Sequence, residues 1–396
     1  MLKSINIGTS GLVGFSKGLE TISQNVANLN TPGYKGSSAQ FTALFDAGDQ
    51  SAGNATGNRN SHTGMRGGAG MAVLPSVIDF GQGQVSQTGN DLDVAIDGSG
   101  FFVLHDDAGN ASYTRDGRFS FNSDGLLVNQ AGLKAQALGT DGALHDITLE
   151  GARNNPASAT KNIKLSGTLS TADTTKIVSG INVTDAAGGS HTLSVEFKNN
   201  TAATAGSWLV TVKDGATTVG SGEIRYANGV LDPTRASVAV TYAPAGVASL
   251  PLTFTVDAAS TSAASGSSTM AASSVDGYGL GVLTSATFDS TGTLVISYSN
   301  GQTAKNQTLA LANVASTAEL EQASGNTYTS NKPQSVTLGV AKGSGTSIAA
   351  GSVEGSNVDL STQFSAIIIT QRGYQASSEL VSTANEMLDT LMRMKG

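Results

Sequence analysis

The sequence predicts an α+β, mainly β protein, with its N- and C-terminal helices paired as a coiled-coil domain and nested β-rich domains between them. Three observations predict it. Apolar residues recur at heptad spacing near both ends of the chain. Asp-Gly and Asn-Gly pairs punctuate the middle, where they favour tight hairpins. Between those pairs lie short runs of alternating apolar and polar residues, the period of a half-buried strand.

The first helix is read from Leu12, Phe15, Leu19, Ile22, Val26 and Leu29, whose spacings of 3, 4, 3, 4 and 3 lay one apolar stripe along a helix. Pro32 disfavours helical geometry at Thr31, so the helix stops near Asn30. From Ser4 to Leu29 such a helix spans roughly 39 Å. The last helix is read from Leu360, Ile367, Tyr374, Val381 and Leu388 at strict sevens, thickened by Phe364, Leu391 and Met392. Asp359 or Asn357 caps its start, and Arg393 and Lys395 suit the negative end of its dipole. Gln371, Ser378 and Asn385 are expected at the other seam position, where polar residues fix register and partner choice. A two-helix hairpin covers its own seam poorly, so the expected interface residues are Leu12, Phe15, Leu19, Ile22, Val26, Leu29, Leu360, Phe364, Ile367, Tyr374, Val381, Leu388 and Leu391. The plainer alternative is two amphipathic helices packed on one globular core.

The middle reads as sandwiches or irregular barrels, with strands such as Phe101–Leu104, Ile177–Val183, Trp208–Val212 and Leu252–Val256. Alternation is clear in Leu193-Ser194-Val195-Glu196-Phe197. Asn122–Val128 echoes Asp289–Val295, as two similar hairpins. If the ends pair, the β domains are nested. The expected division is residues 1–35 and 356–396 for the helical domain and 36–70 for an extended connector. Residues 71–150 and 276–355 then form an inner β domain, and 151–275 an inserted outer one. The small-residue stretch 257–275 is expected to be flexible or to lie against a neighbour.

Composition narrows the function. The chain has 396 residues, no Cys, 13% charged residues and a net charge of −8. An acidic chain lacks the phosphate neutralisation that nucleic-acid binding needs. No apolar run approaches the roughly 20 residues of a membrane span, and the Gly-broken N-terminal stretch is read as mature structure, not as a leader. Disulfides and thiolate metal sites are excluded. The histidines, His62, His105, His145 and His191, are scattered without ligand spacing. No Gly-x-Ser-x-Gly elbow or phosphate-binding loop occurs, and Gly277–Gly281 misses the dinucleotide spacing and reads as a domain-edge turn. Asp91, Asp93, Asp97, Asp106 and Asp107 cluster as a glycosidase pair or a loose calcium site would, but their places at a strand start and in turns favour a structural role. No catalytic, cofactor-binding or metal-ligating residue is assigned.

One resemblance adds to this reading. Ser23-Gln24-Asn25-Val26-Ala27-Asn28-Leu29-Asn30-Thr31-Pro32-Gly33-Tyr34-Lys35 resembles the N-terminal signature of bacterial flagellar rod and hook proteins. Phe80-Gly81-Gln82-Gly83, the run Asp91–Val103, Tyr113–Phe119 and Gly125–Val128 resemble their shared β motif. Ser356-Asn357-Val358-Asp359-Leu360 and Gln371-Arg372-Gly373-Tyr374-Gln375 resemble their C-terminal helix signature. Residues 150–355 match nothing so recognisable. The large inserted β region is similar to that of the hook members, since rod members are generally shorter.

The resemblance implies a structural, non-enzymatic subunit without cofactors. It implies a homo-oligomer, a tubular helical polymer that bends while passing torque from motor to filament as a universal joint. Its implied partners are rod, hook-cap and hook–filament junction proteins and the type III export apparatus, at the extracellular hook segment of the flagellum, without nucleic acid and without membrane insertion. A distal rod-type subunit and an extracellular adhesin or carbohydrate-binding β protein are the alternatives.

Overall fold

The computed structural model describes residues 2–45, 68–243, 252–341 and 345–395. The chain forms two compact units: residues 1–148, 287–295 and 305–396, and residues 149–286 and 296–304.

In the first unit, α1 (Leu2–Ala27) and α2 (Leu360–Lys395) are the long helices. Asp359 caps α2, its Oδ1 accepting from the Thr362 backbone N–H at 2.7 Å. Gly8 meets Val381, Gly11 meets Ser377 and Gly18 meets Thr370, so the two helices run antiparallel. Strands β1 (Ser37–Phe45) and β2 (Gly68–Ile78) form an antiparallel ribbon from Ser37 opposite Ile78 to Phe45 opposite Gly68. The ribbon packs on α1: Phe41 lies 6.3 Å from Phe15, ring centre to ring centre, and Ser10 Oγ accepts from the Met71 N–H. Residues 37–45 and 68–70 were expected in an extended connector; pairing of their backbones makes them strands instead, and residues 46–67 lie outside those described.

The chain then enters the β region of this unit through β3 (Val85–Gln87), β4 (Val94–Asp97), β5 (Phe101–His105) and β6 (Ala111–Thr114). Its return from the second unit supplies partners from far along the sequence. Residues 347–350 pair with β4, 352–354 with β3, and 327–328 with β6. Phe101, Val103, Tyr113, Ala312 and Tyr328 form a core that Phe80 closes edge-on. Gly117 is a packing glycine here: a Cβ would stand 1.6 Å from the Val94 carbonyl oxygen. The two echoed hairpins share one device. Asn122 Oδ1 accepts the N–H groups of Asp124 and Leu126, as Asp289 Oδ1 does those of Thr291 and Thr293.

The second unit is a nine-stranded sheet in the order 175–184, 190–199, 207–214, 217–227, 230–231, 252–264, 162–170, 271–275, with 237–242 added on 252–264. Alternation settles its inside: Leu193, Val195 and Phe197 are buried, with Trp208, Phe254 and Ile163 among the other core residues. This region reaches to residue 286, past the expected boundary at 275. The stretch 257–275 also departs from expectation. Strands 252–264 and 271–275 flank strand 162–170 on either side, one parallel and one antiparallel. Ala258 and Thr261 of the first strand are buried, as is Met270 beside the second.

Candidate assembly interface

None of the thirteen expected interface residues is buried. Leu12, Phe15, Leu19, Ile22, Val26 and Leu29 are half-covered, as are Ile367, Val381 and Leu388. Leu360, Phe364, Tyr374 and Leu391 are exposed. The helices touch through small residues that the apolar spacing did not reveal, against which the expected residues Phe15 and Val381 also pack. Gly8, Gly11 and Gly18 lie buried on α1, and a Cβ on Gly11 would come within 2.6 Å of Ser377 Oγ. From α2, Gly373 admits the ring of Phe15, with 2.5 Å between a built Cβ and the ring edge. The missed signal is the seven-residue interval from Gly11 to Gly18, continued by buried Asn25. Small residues let two backbones approach closely, so this seam costs little side-chain entropy and buries little apolar area.

The expected polar seam moves by one residue. Gln371, Ser378 and Asn385 are exposed, and Thr370, Ser377 and Ala384 face inward. The inward set 370, 377 and 384 keeps the seven-residue interval, offset by one position from the expected one. It also leaves a second apolar row bare. Ile369, Leu380, Met387, Leu391 and Met394 are 71%, 42%, 49%, 50% and 84% exposed. Their separations of 11, 7, 4 and 3 keep them on one flank of α2, beside the α1 seam and away from polar Gln375, Ser382 and Glu386. One helix therefore carries a small-residue face against α1 and exposed apolar side chains beyond it, with Phe364, Ile368 and Met392 exposed as well.

At the base of the helices the signature residues form a polar clasp. Lys35, Arg115 and Glu354 are buried side by side. Glu354 Oε1 accepts from Lys35 Nζ at 2.5 Å and from the Gly83 N–H at 2.7 Å, and its Oε2 accepts from Arg115 Nη1 at 3.2 Å. Burial pulls the Lys35 ammonium below its ordinary pKa against the opposing pull of Glu354, and burial lowers Arg115 in the same way. Arg115 also stacks over the Phe101 ring at 5.4 Å. Asn25 ties α1 to the ribbon and to α2, its Oδ1 accepting from the Ser37 N–H and its Nδ2 donating to Gln363 Oε1. Gly33 has φ +69° and its Cα abuts Asp116, so any Cβ would be 2.4 Å from that residue's nitrogen. The Pro-Gly-Tyr-Lys turn is thereby explained as packing chemistry.

Several of the candidate side chains have partners within the fold. Asp93 accepts from Thr88 Oγ1 and Asn90 Nδ2, and Asp106 caps its own turn at Ala108 and Asn110. His191 pairs with Asp185 at 2.9 Å, and His62 lies outside the described residues. Among the described residues no cluster of three or more His, Asp or Glu could hold a metal, and no helix is long and apolar enough to cross a membrane.

The paired terminal helices and the nested β structure carry the matches of three family models, which fall in chain order and point to the flagellar rod and hook class. Residues 5–35 match "Flagella basal body rod protein", 95–200 "Flagellar hook protein FlgE/F/G D1 domain", and 349–394 "Flagellar basal body rod FlgEFG protein C-terminal". Flagellar hook protein FlgE of Escherichia coli is 30% identical, with 98% of each chain covered. That of Brucella suis is also 30% identical over 98% of each chain, and that of Treponema pallidum is 29% identical over the full length of both. A solved Helicobacter pylori flagellar hook protein, FlgE2, aligns with a TM-score of 0.46 at 11% identity, covering 66% of this chain and 98% of that one. The chain belongs to the flagellar hook protein family, the structural subunits of the flagellar hook.

Proposed function

We propose that this chain polymerises through its terminal helices into a helical tube that bends while passing motor torque to the filament, as a universal joint. The observation that carries the reading is the exposed row Ile369, Met387, Leu391 and Met394, with Leu380 at its edge against Gly8, beside a seam already filled by α1. Covering a Leu or Met side chain contributes about 1.5–3 kcal/mol, so a row of four is a strong incentive to associate. Neighbouring copies supply the cover, and the half-covered residues Leu12 to Leu29 meet them from α1. A small-residue seam holds each hairpin slender, which suits close packing around a central channel.

The subunit acts mechanically and catalyses nothing. Its ends join rod proteins below and junction proteins above, under a hook cap during growth, after passage through the type III export apparatus. It works outside the cell. A chain without Cys suits that passage, having no disulfide to reshuffle. Polymerising the purified chain and imaging it by electron microscopy tests the reading. Curved tubes are expected; straight, rigid tubes would make it a rod-type subunit, and a chain that stays monomeric with protected helices would refute it.

A further inference from the structure

Only two stretches of chain join the helices and ribbon to the β region of the first unit: residues 79–84, leaving β2, and 355–359, leading into α2. Both are bound to one carboxylate and its partners. Lys35 Nζ donates to the Gly81 carbonyl at 2.7 Å as well as to Glu354. The Gly83 N–H donates to Glu354 from the first stretch, and Asn357 Nδ2 reaches back from the second to the carbonyls of Asp79 and Gly81. Arg115, just beyond β6, anchors the other carboxylate oxygen while its Nη2 donates to the Gly98 carbonyl. Glu354 thus ties together both connections, the N-terminal turn and the sheet.

We propose that the buried Glu354 carboxylate is a catch that, through its charge, fixes the helical part to the β region. Every group hydrogen-bonded to its carboxylate is a donor: Lys35 Nζ, Arg115 Nη1 and the Gly83 N–H. A protonated carboxyl would press its own O–H against donors and leave two buried cations uncompensated. The other charged or titratable groups facing the node are Asp79, beside Lys35, and the hydroxyls of Tyr34 and Tyr328. Asp116 is spent on Arg118, which it holds through both oxygens. Losing the charge of Glu354 therefore loosens its links to Lys35, Arg115 and Gly83 together, leaving the Asn357 bonds and the backbone bonds from Gly33 to Glu354 and from Gly355 to Gln84 to hold the two connections more weakly, over a β region that stays folded. The mechanical meaning, a stiff joint for torque while Glu354 is charged, rests on the proposed function. The catch itself does not, and is read on the dilute monomer.

The test is hydrogen exchange followed by mass spectrometry on the full-length monomer, expressed as protection factors. Glu354→Gln copies the neutral acid with little change of shape. It is expected to lower protection at 28–36, 79–84 and 355–359 by on the order of a hundred-fold, the scale of a broken buried ion pair. Protection at 101–105 and 193–197 should stay at the wild-type level. A Lys35→Met, Arg115→Met, Glu354→Leu variant removes all three charges and should restore protection. Unchanged protection in Glu354→Gln, or uniform loss across the chain, would each overturn the catch. Should the triple variant not fold, the comparison of wild type with Glu354→Gln decides alone.

Discussion

The second unit and the terminal helices use the same ingredient, a periodic apolar stripe, to opposite ends. In the second unit every inward position of strand 190–199 finds cover within the chain, with Phe197 and Val195 at 0% exposure. In α2 a helix of 36 residues buries only Ala384 among its described residues. The difference teaches that periodicity marks which side chains line up, not who covers them. A sheet folded on its own core is complete. A helical hairpin sealed by glycines has spent its small residues inward and left its large ones uncovered.

The sharpest way to break this comparison is to charge the bare row. Ile369→Asp should abolish tube formation, raising the critical concentration by more than about a hundred-fold because each copy would bury an unpaired charge. Its monomer stability should shift by no more than about 0.5 kcal/mol, as for a solvent-exposed site. Sedimentation and thermal unfolding measure both, and a destabilised monomer would show the row to be internal. Phe197→Ala probes the other side of the comparison. It should cost the second unit about 3–5 kcal/mol through the cavity it leaves. Trp208, the only Trp in the chain, reports that transition by fluorescence, and assembly through the helices should survive under native conditions.

Gly11→Leu sharpens the distinction between seam and row. Its side chain must displace Ser377, and overpacking of this kind costs about 1–3 kcal/mol. The helical circular-dichroism signal of the monomer should fall while the signal from the strands persists. The smallest effect concerns acid. The hydrogen bond with His191, aided by the N–H groups of Gly189 and Ala187, holds Asp185 below the ordinary carboxylate pKa. A depressed folded-state pKa means its stabilisation is complete above the unfolded value and is lost as pH falls through the folded one. Asp185→Asn should therefore flatten the acid limb of the second unit's stability curve, measured by denaturant unfolding at stepped pH.

Much of the architecture was legible in the residues. Pro32 and the heptads placed two long helices within a few residues of α1 and α2, because helix periodicity is a local property. Alternation at Leu193–Phe197 read out a strand face for the same reason. The stretch 257–275 was misread because its small residues lack an alternating apolar signal, and only pairing with 162–170 on both flanks makes it a sheet. The interface was half legible. The apolar stripes were visible, but the glycine seam was not, since Gly carries no hydrophobic signal and its value lies in how near another backbone comes.

By itself, then, the sequence determined the kinds of element, their order, the closed chemistry of an acidic chain without Cys, and the family signatures at both ends. Tertiary structure alone decided which stripe of α2 faces α1, which stays bare, and that Lys35, Arg115 and Glu354 meet. Those three are separated by 80 and 239 positions along the chain. Local periodicity arises from backbone geometry acting over a few residues, whereas burial of a charge or choice of a helix face is settled by whatever distant surface arrives to cover it.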